Sequence, residues 1–82
     1  MQAQTQSSDP ADQKLSEKIS KALADAGIDL RTTSVRVITT SEHEVYLTGL
    51  ISDKDTIKLA GDVAAKAAPS FRIVNQIHSS SF

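Results

Sequence analysis

Val45-Tyr46-Leu47-Thr48-Gly49-Leu50-Ile51-Ser52-Asp53-Lys54-Asp55 decides the fold, because two periods meet within it. Up to Ile51 the period is two: Val45, Leu47, Gly49 and Ile51 fall on one face of a strand over residues 44–51, and Tyr46, Thr48 and Leu50 on the other. Ser52-Asp53-Lys54-Asp55 then resembles a capping box with Asp in the place of Glu, and it opens a helix over about residues 53–68. Ile57, Ala60, Val63, Ala64 and Ala67 line the inner face of that helix, Lys54, Asp55, Lys58 and Asp62 face water, and Pro69 ends it.

Upstream, Ser34 to Thr40 is a second β-branched run, with Val35 and Val37 on one face, and Ser41-Glu42-His43 joins it to the strand at Glu44. This is a hairpin, and the absence of a turn glycine calls for a loop longer than two residues. Downstream, Phe71 to Ser79 alternates Phe71, Ile73, Asn75 and Ile77 against Arg72, Val74, Gln76 and His78, which makes a third strand. At the other end, Asp9-Pro10 is a helix start and Gly27 a left-handed stop. Leu15, Ile19, Ala22, Leu23 and Ala26 form the apolar stripe between them, and Ile28 to Ser34 reads as a connecting loop. The order α-β-β-α-β has one economical solution, an α+β two-layer sandwich with both helices packed on one face of a three-stranded mixed sheet.

A chain of 82 residues holds one small domain. Residues 9–79 are expected to form it, residues 1–8 to be a disordered polar lead-in, and residues 80–82 a frayed tail. The lead-in, similar in composition to stretches that follow a cleavage site, is expected to be the mature start of an exported protein whose signal peptide has been removed, with Met1 added for expression. A hydrophobic share of 39% beside 23% charged residues is globular rather than disordered. Nine basic against ten acidic residues leave no global field to attract nucleic acid or an anionic membrane, so any such contact must be local. Three aromatic residues, Tyr46, Phe71 and Phe82, cannot make a base-stacking platform, and no G-x-x-G phosphate clamp is present, so nucleic acid is not an expected partner.

The absence of cysteine removes disulfides, thiolate metal sites and cysteine nucleophiles. His43 stands between Glu42 and Glu44, but adjacent side chains on a hairpin tip diverge, so no metal is assigned. There is no nucleophile elbow and no scaffold for a deep pocket, and the chain is not expected to be an enzyme or to hold a cofactor. No run of about 18–20 apolar residues exists, so no transmembrane segment is expected.

The segments Val45-Tyr46-Leu47-Thr48-Gly49-Leu50-Ile51-Ser52, Ala60-Gly61-Asp62-Val63-Ala64 and Ile73-Val74-Asn75-Gln76-Ile77 together resemble the BON domain, the bacterial osmotically inducible and nodulation domain, over about residues 12–79. The family pattern is a Val-x-Leu-x-Gly-x-Val strand, an Ala-x-x-Ile-Ala helix and a Val-x-Asn-x-Leu strand, and Gly49, Ala60 and Asn75 occupy its structural positions. The chain departs from it at the hairpin turn, Ser41-Glu42-His43-Glu44, and before the last strand, Pro69-Ser70-Phe71. The resemblance implies a non-enzymatic binding module of the bacterial periplasm or another exported location. It also implies links to anionic phospholipid, to envelope proteins and to osmotic or envelope stress. Some members are tied to potassium sensing, and carbonyl-lined ion sites leave no side-chain signature.

Two surfaces are candidates for such binding. Lys14, Lys18 and Lys21 share the outward side of the first helix, where each lysine near an anionic lipid surface contributes about 1 kcal/mol. Glu17 and Asp25 dilute this stripe, no large apolar residue lies beside it to insert below head groups, and an ordinary solvated helix face has the same look. The sheet face away from the helices carries Arg36, Ile38, Tyr46, Thr48, Leu50, Val74, Gln76 and His78. Tyr46, Leu50 and Val74 make it more apolar than a free face requires, which marks protein interaction or self-association.

Overall fold

The computed structural model describes residues 6–28 and 34–79. Five elements follow in order: α1 (Pro10–Asp25), β1 (Arg36–Thr39), β2 (Glu44–Ile51), α2 (Lys54–Ala67) and β3 (Arg72–Ser79). The sheet order is β1-β2-β3, with β1 antiparallel and β3 parallel to the central β2. A parallel neighbour cannot be reached by a tight turn, and α2 is the crossover that carries the chain from the end of β2 to the start of β3. Both helices lie on one face of this mixed sheet, α1 against β1 and α2, and α2 against β2 and β3.

The core is the seam between the layers. Ile19 and Leu23 of α1 meet Ala60 and Ala64 of α2 over Val45 and Leu47 of β2, and all six are fully buried. The alanines of α2 leave little between helix axis and sheet, so the larger side chains of α1 fill the space. Val35, Ile51 and Ile77 close the edges of this core.

Local chemistry sets each boundary. Asp9 caps α1 by accepting from the Ala11 N–H at 2.9 Å, with Pro10 in the first helical position. At its C-terminus Gly27 takes φ +93°, its N–H donates to Ala24 O at 3.0 Å and the Ile28 N–H donates to Leu23 O at 2.8 Å, a Schellman stop. That stop corrects the sequence reading twice. Ala26 sits at the helix cap and is exposed rather than part of the stripe, and Ile28 is a core residue rather than a loop residue. The remainder of that connection, residues 29–33, lies outside the described residues.

The cap of α2 is Asp53, not Ser52. Its Oδ1 accepts from the Asp55 N–H at 3.1 Å and its Oδ2 from the Thr56 hydroxyl at 2.9 Å, while Ser52 is exposed. An aspartate accepts two bonds here, which a serine one residue earlier cannot match. The hairpin closes by Thr40 N–H donating to Glu44 O at 2.8 Å, with His43 at φ +61° and its ring 5.1 Å from that of Phe71.

At the N-terminus, the lead-in assigned to residues 1–8 meets the fold from Gln6 onward. The Ser7 N–H donates to Thr39 O, the Gln6 Oε1 accepts from the Thr39 N–H, both at 2.9 Å, and the same oxygen accepts from the Ser16 hydroxyl at 2.7 Å. The Thr39 hydroxyl, in a fully buried residue, completes this polar cluster with Ser16 at 2.7 Å. Residues 1–5 and 80–82 lie outside the described residues.

Candidate binding surface

The helices cover the odd-numbered side of the strands, and among the described residues no helix or strand packs on the even-numbered side of the sheet. Register alone organises that open face into rows. Ile38 lies opposite Tyr46 and Tyr46 opposite Val74, so three half-buried apolar side chains run across all three strands. On one flank Arg36, Thr48 and Gln76 make a polar row, followed by Leu50 beside His78. On the other flank Glu44 stands beside Arg72, with Oε2 and Nη1 4.0 Å apart.

Glu44 ties this flank to the apolar row, because the Tyr46 hydroxyl donates to its Oε1 at 3.1 Å. Loss of water around the phenol, and then the Glu44 carboxylate beside it, raise the Tyr46 pKa above the ordinary 10. Tyr46, at the centre of the face, is thus joined to its charged flank through its hydroxyl.

Of the residues singled out from sequence on this face, Tyr46 and Val74 are brought together and Leu50 is not. Leu50 is four residues along β2 from Tyr46, about 13 Å at strand rise, with the Thr48 row between them. At 50% exposure it is the most exposed large apolar side chain among the described residues. The residue that completes the row with Tyr46 and Val74 is Ile38, visible in sequence only as one apolar position of a short strand.

Lys14, Lys18 and Lys21 are all exposed on the outer side of α1, within about 11 Å along the helix axis. None of them makes an ion pair among the described residues. This surface belongs to the helical layer and the Ile38–Tyr46–Val74 row to the opposite side of the sheet, so one flat surface cannot meet both.

Ala60, Gly49 and Asn75 make contacts within the fold. Ala60 of α2 is fully buried in the core between the helices and the sheet. Gly49 has φ +129°, and a side chain there would overlap the Ser34 carbonyl and come within 2.7 Å of the Val35 Cα. Asn75 lies on the helix-facing side that its alternation gave it but is exposed, because β3 is the sheet edge; its Nδ2 donates to Ile57 O of α2 at 2.9 Å and its Oδ1 accepts from the Ile77 N–H at 3.2 Å. Gly61 makes room for this amide, since a Cβ there would lie 2.9 Å from Nδ2. A glycine in mid-helix, costly by propensity, was the signal in the sequence for that contact.

Against known families, the BON domain model matches residues 11–79, which takes in all five elements but for Pro10. The chain belongs to the BON domain family. BON domains are non-catalytic binding domains and occur in bacterial envelope proteins. No curated protein and no solved structure matches this BON domain. Among its described residues no group of three His, Asp or Glu is arranged to hold a metal ion, and no helix is long and apolar enough to cross a membrane.

Proposed function

We propose that this BON domain is a non-enzymatic binding module of the bacterial periplasm that docks on a membrane-proximal envelope protein through the open face of its sheet. The observation that carries this reading is the Ile38–Tyr46–Val74 row, a continuous apolar band across the sheet with Arg36, Glu44 and Arg72 on its flanks. Apolar centre and polar rim are the anatomy of a protein interface. The Tyr46 ring, oriented by Glu44, is the kind of rigid aromatic on which binding energy concentrates. Osmotic or envelope stress is the setting in which such a module acts.

A second reading has its own observation. Lys14, Lys18 and Lys21 share one exposed side of α1 with no ion pair among the described residues, which favours electrostatic contact with anionic phospholipid. Such contact weakens as salt rises, whereas an apolar sheet interface does not.

Co-sedimentation with isolated bacterial envelopes separates the two. Val74→Glu and Tyr46→Glu abolish association on the first reading, while Lys18→Glu and Lys21→Glu leave it intact. Loss in the lysine variants, together with release by salt, establishes the second. A wild-type chain that stays in the supernatant contradicts both.

A further inference from the structure

Both edges of the sheet have backbone groups already taken by the chain itself, and the closure of β3 is the more informative. The Arg72 N–H donates to His43 O at the start of the parallel ladder, so the even-numbered residues of β3 bond to β2 and the odd-numbered ones present their backbone groups outward. The outward Ile77 N–H is taken by Asn75 Oδ1, whose amide is anchored in turn on Ile57 O of α2. On the opposite edge the outward Thr39 N–H and carbonyl are taken by Gln6 and Ser7.

We infer that Asn75, seated beside Gly61, is an edge guard that keeps β3 from pairing with the β3 strand of a second copy. The strand needs one. It is eight residues long, carries Ile73, Val74 and Ile77, and contains neither proline nor lysine, the usual devices that blunt an exposed edge. Among the described residues no other strand pairs with its outer side.

The sequence of β3 is self-complementary in that pairing. Two copies related by a twofold axis through Asn75 bring Ile73 opposite Ile77 of the other copy, on both sides of the axis and on the core-facing side of the sheet. The backbone groups that must bond in this register are those of the odd-numbered residues. The Ile77 N–H is among them, and in each copy the Asn75 side chain already holds it. Gly61 gives the guard its seat, because a Cβ in its place would lie 2.9 Å from Nδ2 and the Asn75 amide would have to shift from its present position.

Two readouts test this. In the wild-type chain, amide hydrogen exchange at Ile77 is slower than at Ile73 and Asn75, whose N–H groups face the same edge without a guard; equal rates overturn the inference. Sedimentation over a concentration series finds the wild type at its monomer mass of 8.8 kDa. Asn75→Ala and Gly61→Ala each move it toward a twofold higher mass, with exchange at Ile73 slowed relative to the wild type. Gly61→Ala keeps the asparagine and replaces a poor helix former by the best one, with only a flexible side-chain end to give way, so it is the second variant beside Asn75→Ala, its fold checked by circular dichroism. A folded, monomeric Gly61→Ala chain at high concentration overturns the inference, as does a wild type that dimerises through β3.

Discussion

Replacing Gly49 by alanine perturbs a place where two backbones lie too close for a side chain. Gly49 has φ +129°, and its Cβ would stand 2.7 Å from both the carbonyl carbon of Ser34 and the Cα of Val35, neither of which can rotate away. Two costs add. Holding an L-residue in this sparsely populated region costs about 1–3 kcal/mol, and shifting the backbone before β1 to admit a methyl costs a further amount of about 1–3 kcal/mol. The sum of about 2–6 kcal/mol compares with a total stability of about 4–12 kcal/mol for 82 residues. Gly27→Ala is the control: φ is also positive, +93°, but nothing lies within 4 Å, so only a conformational term of roughly 1–2 kcal/mol applies. Urea denaturation followed by far-ultraviolet circular dichroism should place the Gly49→Ala midpoint well below that of Gly27→Ala. Equal losses in the two variants would refute the close approach at Ser34.

Asp53→Ala removes both cap bonds of α2 and should cost about 1 kcal/mol in the same assay, whereas Ser52→Ala should stay within about 0.5 kcal/mol. Comparable losses would return the cap to Ser52. Tyr46 is the only tyrosine, so an ultraviolet titration reads its ionisation directly, with a midpoint above 10 that falls toward 10 in Glu44→Gln. Folding favours the neutral phenol, so the associated stability is present below pH 10 and is lost as pH rises through the raised value. A wild-type midpoint at or below 10 would contradict the Glu44 contact.

Periodicity carried most of this architecture in plain view. The change from period two to helical spacing at Ser52 set β2 and α2, and the alternation of β3 with Pro69 before it set the third strand. What periodicity does not encode is what stayed hidden. Ile28 belongs to the core only because the Schellman stop at Gly27 turns the chain back onto the sheet, a consequence of geometry after the helix rather than within it. Thr39 is buried because Ser16 and Gln6 satisfy it, and partners 23 and 33 residues away leave no local signal.

The candidate binding surface was legible as a face but not as a pattern on that face. Alternation puts Tyr46, Leu50 and Val74 on one side of the sheet. Only the register shows that Tyr46 and Val74 share a row with Ile38 and that Leu50 stands apart. Asn75 shows the same limit: alternation points it inward, and only the place of β3 at the sheet edge turns it into a strap between strand and helix.

The central claim is that this BON domain meets its partner through the Ile38–Tyr46–Val74 row. Site-specific photocrosslinking tests it most directly, with the reactive side chain placed in turn at Val74, Lys18 and Asp62 in chain exported to a bacterial envelope. The account predicts a discrete protein adduct from position 74 and none from positions 18 or 62. Adducts confined to position 18, or equal at all three, would contradict it.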